Sequence, residues 1–131
     1  MNRRVVNPWS WQDELGFVQA NEVTDPQRVL ICSGQTSVDE GGRPTHPDDM
    51  LAQLNQALDN LEDVLDAAAF QMADVVRMNY YTTDVDALLA VLDELGARLA
   101  GSGCRPTSTI LGVQRLARPE LMIEVEATAV A

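Results

Sequence analysis

The chain has 131 residues, of which nine are arginine, none is lysine and twenty are Asp or Glu, giving a formal net charge of −11. Such a charge argues against nucleic acid and against an anionic membrane surface as partners, because both attract cations. With 46 % hydrophobic residues, the chain is expected to form one domain, over residues 1–131, with a substantial core.

Two strands are predicted before the first helix. Residues 16–23 form the first, the turn-forming pair Asp25-Pro26 follows, and residues 28–34 form a buried, β-branched second strand. Ser33-Gly34-Gln35 ends this strand with small side chains that would let backbone N–H groups approach a ligand, although a plain turn explains the same residues. Trp9 and Trp11 belong to an N-terminal arm that either packs on the domain or covers a ligand.

The first helix is predicted to begin near Pro47, because proline is well suited to the first helical position. Thr45 and Asp48 have the spacing of a capping box. Apolar residues then recur at spacings of three and four, which is typical of an amphipathic helix. These residues are Leu51, Leu54, Leu58, Leu61, Leu65 and Ala68.

The second half of the chain predicts a strand, a helix and two more strands. Residues 73–83 alternate as a strand, Asp84 caps the second helix, and residues 101–103 stop it with two glycines. Strands are expected over residues 106–113 and 121–131, the latter with strict alternation. The stripe of the second helix consists of Val85, Leu88, Leu92, Leu95 and Leu99.

The resulting order, β-β-α-β-α-β-β, predicts an α+β fold of two layers, with two helices on one face of a sheet of five or six strands. The other face of the sheet has no predicted cover, which makes self-association plausible.

Three polar features stand out along the strands. Glu124 and Glu126 leave the same face of the last strand, where they either position a water or form part of a solvated face. Arg77 lies on a largely apolar strand and is expected to pair with an acid such as Asp74 or a C-terminal glutamate.

Cysteine and histidine give no evidence of a metal or cofactor site. Cys32 and Cys104 lack metal-ligand spacing and are expected to be buried thiols of a reducing cytoplasm. His46 is the only histidine and is expected at the surface beside the helix start. The chain contains no recognisable secretory leader and no apolar run of the roughly 20 residues that a membrane span needs, so a cytoplasmic protein is expected.

Four segments together match one known family. They are Ser33-Gly34-Gln35, Leu58-Asp-Asn-Leu-Glu62, Val75-Val-Arg77 and the tail 105–127. In the tail the family signature reads Pro-x-Arg-Ser-x-Val, then a leucine, then Ile-Glu-Ile-Glu-Ala. Over residues 14–131 the chain therefore resembles the Rid (YjgF/YER057c-type, RidA-like) reactive-intermediate deaminase family.

The resemblance implies a chorismate-mutase-like fold that assembles as a homotrimer, with a small-molecule ligand in each inter-subunit cleft. Glu124 matches the family glutamate that positions the water attacking an imine carbon. Ser33 and Gly34 match the backbone-lined wall, while Phe17 stands where many members have tyrosine. Ile110 also differs from common family choices at the cleft.

One departure is decisive for function. Ser108 occupies the place of the family arginine that clamps the substrate carboxylate through a charge-assisted, bidentate contact. We therefore expect a small-molecule-binding protein or hydrolase with an altered cleft and little 2-imino acid deaminase activity. Two alternatives remain: a deaminase that uses Arg105 or Arg77 instead, or a non-catalytic trimer that acts through protein contacts. RNA cleavage is the least favoured because of the charge.

Overall fold

Seven strands and three helices follow one another along the chain, and the computed structural model describes all residues from 1 to 131. The strands are β1 (Asn2–Val6), β2 (Ala20–Thr24), β3 (Val29–Ile31), β4 (Gln35–Thr36), β5 (Val75–Thr82), β6 (Thr107–Gly112) and β7 (Ile123–Val130). The helices are α1 (Met50–Ala67), α2 (Val85–Leu89) and α3 (Leu92–Gly101).

Strand β7 is the centre of a five-stranded sheet. The order is β3-β7-β5-β6, and β4 also pairs with β7 beyond the end of β3. All pairs are antiparallel except β5 with β6, which is parallel. Strands β1 and β2 form a separate antiparallel ribbon.

The alternation of β7 divides the sheet into two faces. Ile123, Val125, Ala127 and Ala129 are buried and pack with the leucine stripe of α1 and with the leucines of α2 and α3. We call this side the helix face. The opposite side, the open face, carries Glu124 and Glu126 of β7 together with Arg77, Asn79 and Tyr81 of β5. The predicted two-layer α+β architecture is confirmed.

The helices differ from the prediction in two respects. Helix α1 begins at Met50 rather than near Pro47, because Asp49 is the N-cap and accepts a hydrogen bond from the Ala52 N–H at 3.0 Å. The Thr45 hydroxyl instead bonds Ser37 at 2.8 Å. The predicted second helix is two helices, α2 and α3, separated at Val91, which leaves helical geometry. A stripe with three-and-four spacing continues across this break, so the pattern did not reveal it.

Other helix predictions agree with the structure. Asp84 caps α2 by accepting from the Ala87 N–H at 3.0 Å, and α3 ends at Gly101 as expected. No helix has both the length and the apolar character needed to cross a membrane.

The N-terminal third also corrects the prediction. Residues 16–19 are not a strand, since a short 3-10 turn over Asp13–Leu15 ends at Gly16 in the left-handed region (φ 77°). Residues 2–6 form a strand that was not predicted. The Arg3 guanidinium fixes the ribbon to the sheet by donating to the carbonyl oxygens of Ala73 and Arg105 at 2.8 and 2.7 Å.

Candidate functional site

Glu124 lies on the open face between two neighbouring strands. It is opposite Thr36 of β4 and Tyr81 of β5. Its carboxylate extends over Gly34, so closely that a Cβ on Gly34 would overlap Oε1 and lie 2.7 Å from Cδ. Only glycine therefore permits this position of the carboxylate, which gives a physical reason for the Ser-Gly-Gln sequence noted above.

The backbone beside Glu124 is free to bind a ligand. The Ser33 and Gly34 N–H groups donate to no other group of the chain, and both residues are exposed. They follow the Cys32 N–H, which still pairs with the Ala127 carbonyl at 2.9 Å. Two consecutive free donors next to a carboxylate can hold a polar ligand or an ordered water.

The two glutamates of β7 differ in their bonding. Glu126 accepts hydrogen bonds from the Tyr81 hydroxyl and from Asn79 Nδ2, the latter at 3.1 Å. The Tyr81 bond, followed by that of Asn79, lowers the pKa of Glu126, while the same contact raises the pKa of Tyr81. Glu124 accepts no hydrogen bond from the chain, so it is the carboxylate of the pair that remains available for chemistry.

Arg77 does not form the expected ion pair with an acid. Its Nη2 donates to the Thr109 hydroxyl of β6 at 2.7 Å, and no carboxylate lies within salt-bridge distance. The reason is the register: Arg77 is opposite Thr107 of β6 and Thr128 of β7, which are both neutral.

Ser108, Ile110 and Phe17 meet on the helix face. The parallel register places Ser108 beside Met78 and Ile110 beside Tyr80, whose side chains are buried on that face. All three line a cavity of about 260 Å³, which we call the Ser108 cavity. Its lining is completed by Leu15, Gly16, Tyr80, Leu89, Leu92, Leu95 and Leu99.

The Ser108 cavity holds two polar side-chain groups and no charge. The Tyr80 hydroxyl is engaged, since it donates to the Met78 sulfur at 2.9 Å, and burial raises its pKa. The Ser108 hydroxyl has no partner in the chain and is therefore the one side-chain hydrogen-bonding group available there.

Arg105 lines a separate depression of about 400 Å³, which we call the Arg105 cavity. The two cavities share Gly16 and Phe17 as a common wall. The Arg105 guanidinium is exposed and forms no hydrogen bond or ion pair within the chain. The Trp11 and Phe17 rings meet edge to face with their centroids 5.8 Å apart, and Trp11 is itself 60 % exposed.

Within one chain, the sequence-predicted residues therefore form two groups on opposite faces of the sheet. Glu124, Ser33 and Gly34 belong to the open face, and Phe17, Ser108 and Ile110 belong to the helix face. Sequence reasoning did not identify Tyr81 or Asn79, although their alternation with buried neighbours on β5 was a visible signal for the open face.

The cysteines and the histidine take no part in either group. Cys32 and Cys104 are buried and free, as expected, and burial raises the pKa of the Cys104 thiol to about 12. His46 is exposed. No three His, Cys, Asp or Glu side chains come together as a group that could hold a metal ion.

Comparison with known proteins agrees with this architecture. A family model described as endoribonuclease L-PSP matches residues 14–131. The crystal structure of a Rid-family protein of unknown function from Yersinia pestis superimposes with a TM-score of 0.86, at 40 % identity over the full length of both chains. The 2-iminobutanoate/2-iminopropanoate deaminase of Escherichia coli is 29 % identical over 107 residues, covering 81 % of this chain and 82 % of that one. A RutC family protein of Pyrococcus horikoshii is 29 % identical over 100 residues, or 76 % of this chain and 77 % of that one.

Proposed function

Since the chain belongs to the endoribonuclease L-PSP family, which includes the Rid and YjgF proteins, we propose that it is a small-molecule hydrolase of C=N bonds with an altered cleft. The single observation that carries this proposal is the Glu124 carboxylate, free of hydrogen bonds and placed against Gly34 and two free backbone donors. A deaminase among the relatives supports the reaction class.

The complete site forms between two copies in a homotrimer, where the open face of one copy meets the Ser108 cavity of the next. This arrangement accounts for the separation of the two residue groups within one chain. Three large apolar side chains at the margin of the open face support a contact there: Val29, Ile31 and Leu111 are 56 %, 80 % and 50 % exposed. Asn79 Oδ1, buried on this face without a partner, would be satisfied by a donor from a neighbouring copy.

Glu124 acts as the general base in this proposal. It takes a proton from a water that attacks the imine carbon and gives it to nitrogen, which forms a carbinolamine; it then moves the hydroxyl proton to nitrogen as the C–N bond breaks, C=O forms and ammonia leaves. The Ser33 and Gly34 N–H groups hold a polar atom of the substrate beside that carbon. Glu126 already accepts hydrogen bonds from Tyr81 and Asn79. It therefore stabilises the pairing of β5 with β7 and takes no part in the reaction.

Ser108 sets the limit on 2-imino acids. A hydroxyl cannot replace a bidentate guanidinium contact with a carboxylate, which contributes about 2–4 kcal/mol in a partly buried cleft. Arg105 is the better of the two alternative arginines, because it adjoins the Ser108 cavity through Phe17. Arg77 is bonded to Thr109 and lies four residues, about 13 Å, along β7 from Glu124. RNA cleavage, which the family description mentions, is disfavoured by a net charge of −11. Two buried cysteines that form no disulfide are typical of proteins in a reducing compartment, so we propose a cytoplasmic location.

The proposal is tested by two measurements. In the first, sedimentation equilibrium should give a trimer, and a mass near the 14.3 kDa of one chain would contradict the shared cleft. In the second, 2-iminopropanoate is generated from alanine by an amino-acid oxidase, and its loss is followed with and without the protein. We expect slow hydrolysis that depends on Glu124; hydrolysis unaffected by Glu124→Gln would contradict the role of Glu124.

A further inference from the structure

The Ser108 cavity is distinguished from the rest of this strongly charged molecule by having no ionic group in its lining. From this, and resting on the hydrolase function proposed above, we infer a substrate class: uncharged imines whose carbon bears an aliphatic or aromatic group. That group occupies the Ser108 cavity.

The walls of the cavity define what can enter it. Its apolar lining includes Leu89 of α2, Leu92, Leu95 and Leu99 of α3, Phe17 and Ile110. A volume of about 260 Å³ lies just below the roughly 300–1,000 Å³ typical of sites for drug-sized ligands, so the occupant is small. Each Å² of apolar ligand surface that is removed from water against these side chains stabilises the bound ligand by about 25 cal/mol.

The polar side of the cavity allows one side-chain hydrogen bond. The Tyr80 hydroxyl is committed to the Met78 sulfur, which leaves only the Ser108 hydroxyl. A serine hydroxyl can donate to or accept from a neutral nitrogen or oxygen. It does not compensate the loss of hydration of a full charge.

A carboxylate would lose its hydration in this cavity without gaining a cation. Arg105 lies in the neighbouring cavity, behind the wall formed by Gly16 and Phe17. Arg77 belongs to the open face, but it is opposite Thr128, four residues or about 13 Å along β7 from Glu124, and its guanidinium is bonded to Thr109. An ionised group buried without a partner is strongly disfavoured, and the net charge of −11 adds to the repulsion of an anion.

The reaction requires nothing beyond water. Water adds to an uncharged imine, R–CH=NH or R₂C=NH: its oxygen bonds to the carbon, the C=N π bond breaks, and one proton goes to nitrogen, which gives a carbinolamine. The C–N bond then breaks as the hydroxyl oxygen forms C=O and its proton passes to the leaving nitrogen. The products are an aldehyde or ketone and ammonia, and neither oxidation nor reduction occurs. Glu124 moves the proton from the water to the leaving nitrogen, as in the proposed function.

A matched pair of product analogues tests the inference without requiring turnover. The compounds 4-methyl-2-pentanone and 4-methyl-2-oxopentanoate share an isobutyl group and a carbonyl, but the second has a carboxylate where the first has a methyl. Binding of each to the unmodified protein is measured by titration calorimetry. We expect the ketone to bind at least about tenfold more tightly than the keto acid. Equal or tighter binding of the keto acid would overturn the inference.

Two arginine variants then test whether the Ser108 cavity causes the preference for the ketone over the keto acid. Ser108→Arg should reverse the order of the two ligands, because it supplies the cation that the cavity lacks. Ala97→Arg is the matched control: it adds the same charge at an exposed position of α3 and should leave the ketone preference intact. An unchanged preference in a folded Ser108→Arg protein would overturn the assignment of the cavity.

Hydrolysis is measured separately on the corresponding imines. A flavin amine oxidase acting on isopentylamine releases 3-methylbutan-1-imine, and an amino-acid oxidase acting on leucine releases 4-methyl-2-iminopentanoate. The imine that remains is measured by trapping it with semicarbazide. We expect the protein to remove the uncharged imine faster than the imino acid. If the ketone binds selectively but neither imine is hydrolysed, the proposed hydrolase fails while the inferred ligand class stands. Preferential hydrolysis of the imino acid would contradict the inferred class alone.

Discussion

The two faces of the five-stranded sheet offer opposite chemistries from the same strands. On the open face, β7 presents Glu124 and Glu126, and β5 presents Arg77, Asn79 and Tyr81. On the helix face, the neighbouring positions of β5 and β6 present Tyr80, Ser108 and Ile110 to a cavity without charge. The two groups of candidate site residues are therefore kept apart within one chain, and the proposed homotrimer would bring them together.

Each face can be altered without changing the other, because adjacent residues of a strand point in opposite directions. Changes on the open face should affect turnover, while changes on the helix face should affect which ligand is accepted. The variants below test this division.

The largest effect is expected from Glu124→Gln. The amide keeps the size of the side chain but cannot accept a proton, so kcat for imine hydrolysis should fall by about 10²–10⁴-fold. Binding of 4-methyl-2-pentanone should change little, since the amide has the size of the carboxylate and the apolar lining of the Ser108 cavity is unchanged. The matched control is Glu126→Gln, which should retain most of kcat; a loss equal to that of Glu124→Gln would show that the two glutamates act together.

Ser108→Arg tests the helix face. The new guanidinium should raise kcat/KM for 2-iminopropanoate by up to roughly 30- to 1000-fold, because it can pair with the substrate carboxylate through charge-assisted hydrogen bonds. The same substitution should lower kcat/KM for an uncharged imine. If the unmodified protein already hydrolyses 2-iminopropanoate as fast as the Escherichia coli deaminase does, the clamp is unnecessary, and Arg105→Ala would then show whether Arg105 replaces it.

Gly34→Ala tests the close contact with Glu124. The added methyl would occupy the place of the carboxylate, with 2.7 Å to Cδ, so Glu124 must move. A displacement of about 1 Å at a reacting group can cost up to roughly 10²-fold in rate, and we expect a kcat loss of that order. Gly101→Ala is the control, since a Cβ there meets no atom within 4 Å. If the Gly34→Ala protein has the wild-type kcat, catalysis does not depend on the observed position of the Glu124 carboxylate.

The smallest effect is expected from Tyr81→Phe, which removes a hydrogen bond to Glu126. The folded-state pKa of Glu126 is below the reference value of 4.5, so its ionisation stabilises the fold above that pH, and this contribution is lost as the pH falls through the folded-state pKa. The variant should therefore be slightly less stable than wild type at pH 7. The difference should shrink well below pH 4.5, as measured by urea unfolding at one protein concentration. If the difference in unfolding free energy between wild type and Tyr81→Phe grows as the pH falls, the Tyr81 hydroxyl does not stabilise the ionised Glu126.

The sequence predicted most of this layout because the relevant patterns are local. Alternation along β7 identified the face of Glu124, the leucine spacing identified α1, and Asp84 identified the start of α2. Three features escaped because their causes are not local. Asn2–Val6 becomes a strand only by pairing with β2, and the helix break at Val91 is invisible in a stripe that continues across it.

The third feature is the side of the sheet on which Ser108 lies. Spacing within β6 shows that Ser108 and Ile110 share a face, but only the pairing of Ser108 with Met78 tells which face this is. The sequence therefore did not show that one chain holds the predicted residues on opposite faces of the sheet.

Complementation between two inactive variants tests the shared site most directly. Glu124→Gln removes the base from the open face, and Ser108→Trp fills the cavity on the helix face; each variant alone should be inactive toward an uncharged imine. After the two are unfolded together and refolded as an equal mixture, a cleft built from two copies should recover about one quarter of the wild-type activity, because one cleft in four unites two intact halves. A mixture that stays inactive, while wild-type protein treated in the same way regains activity, would contradict a site shared between copies.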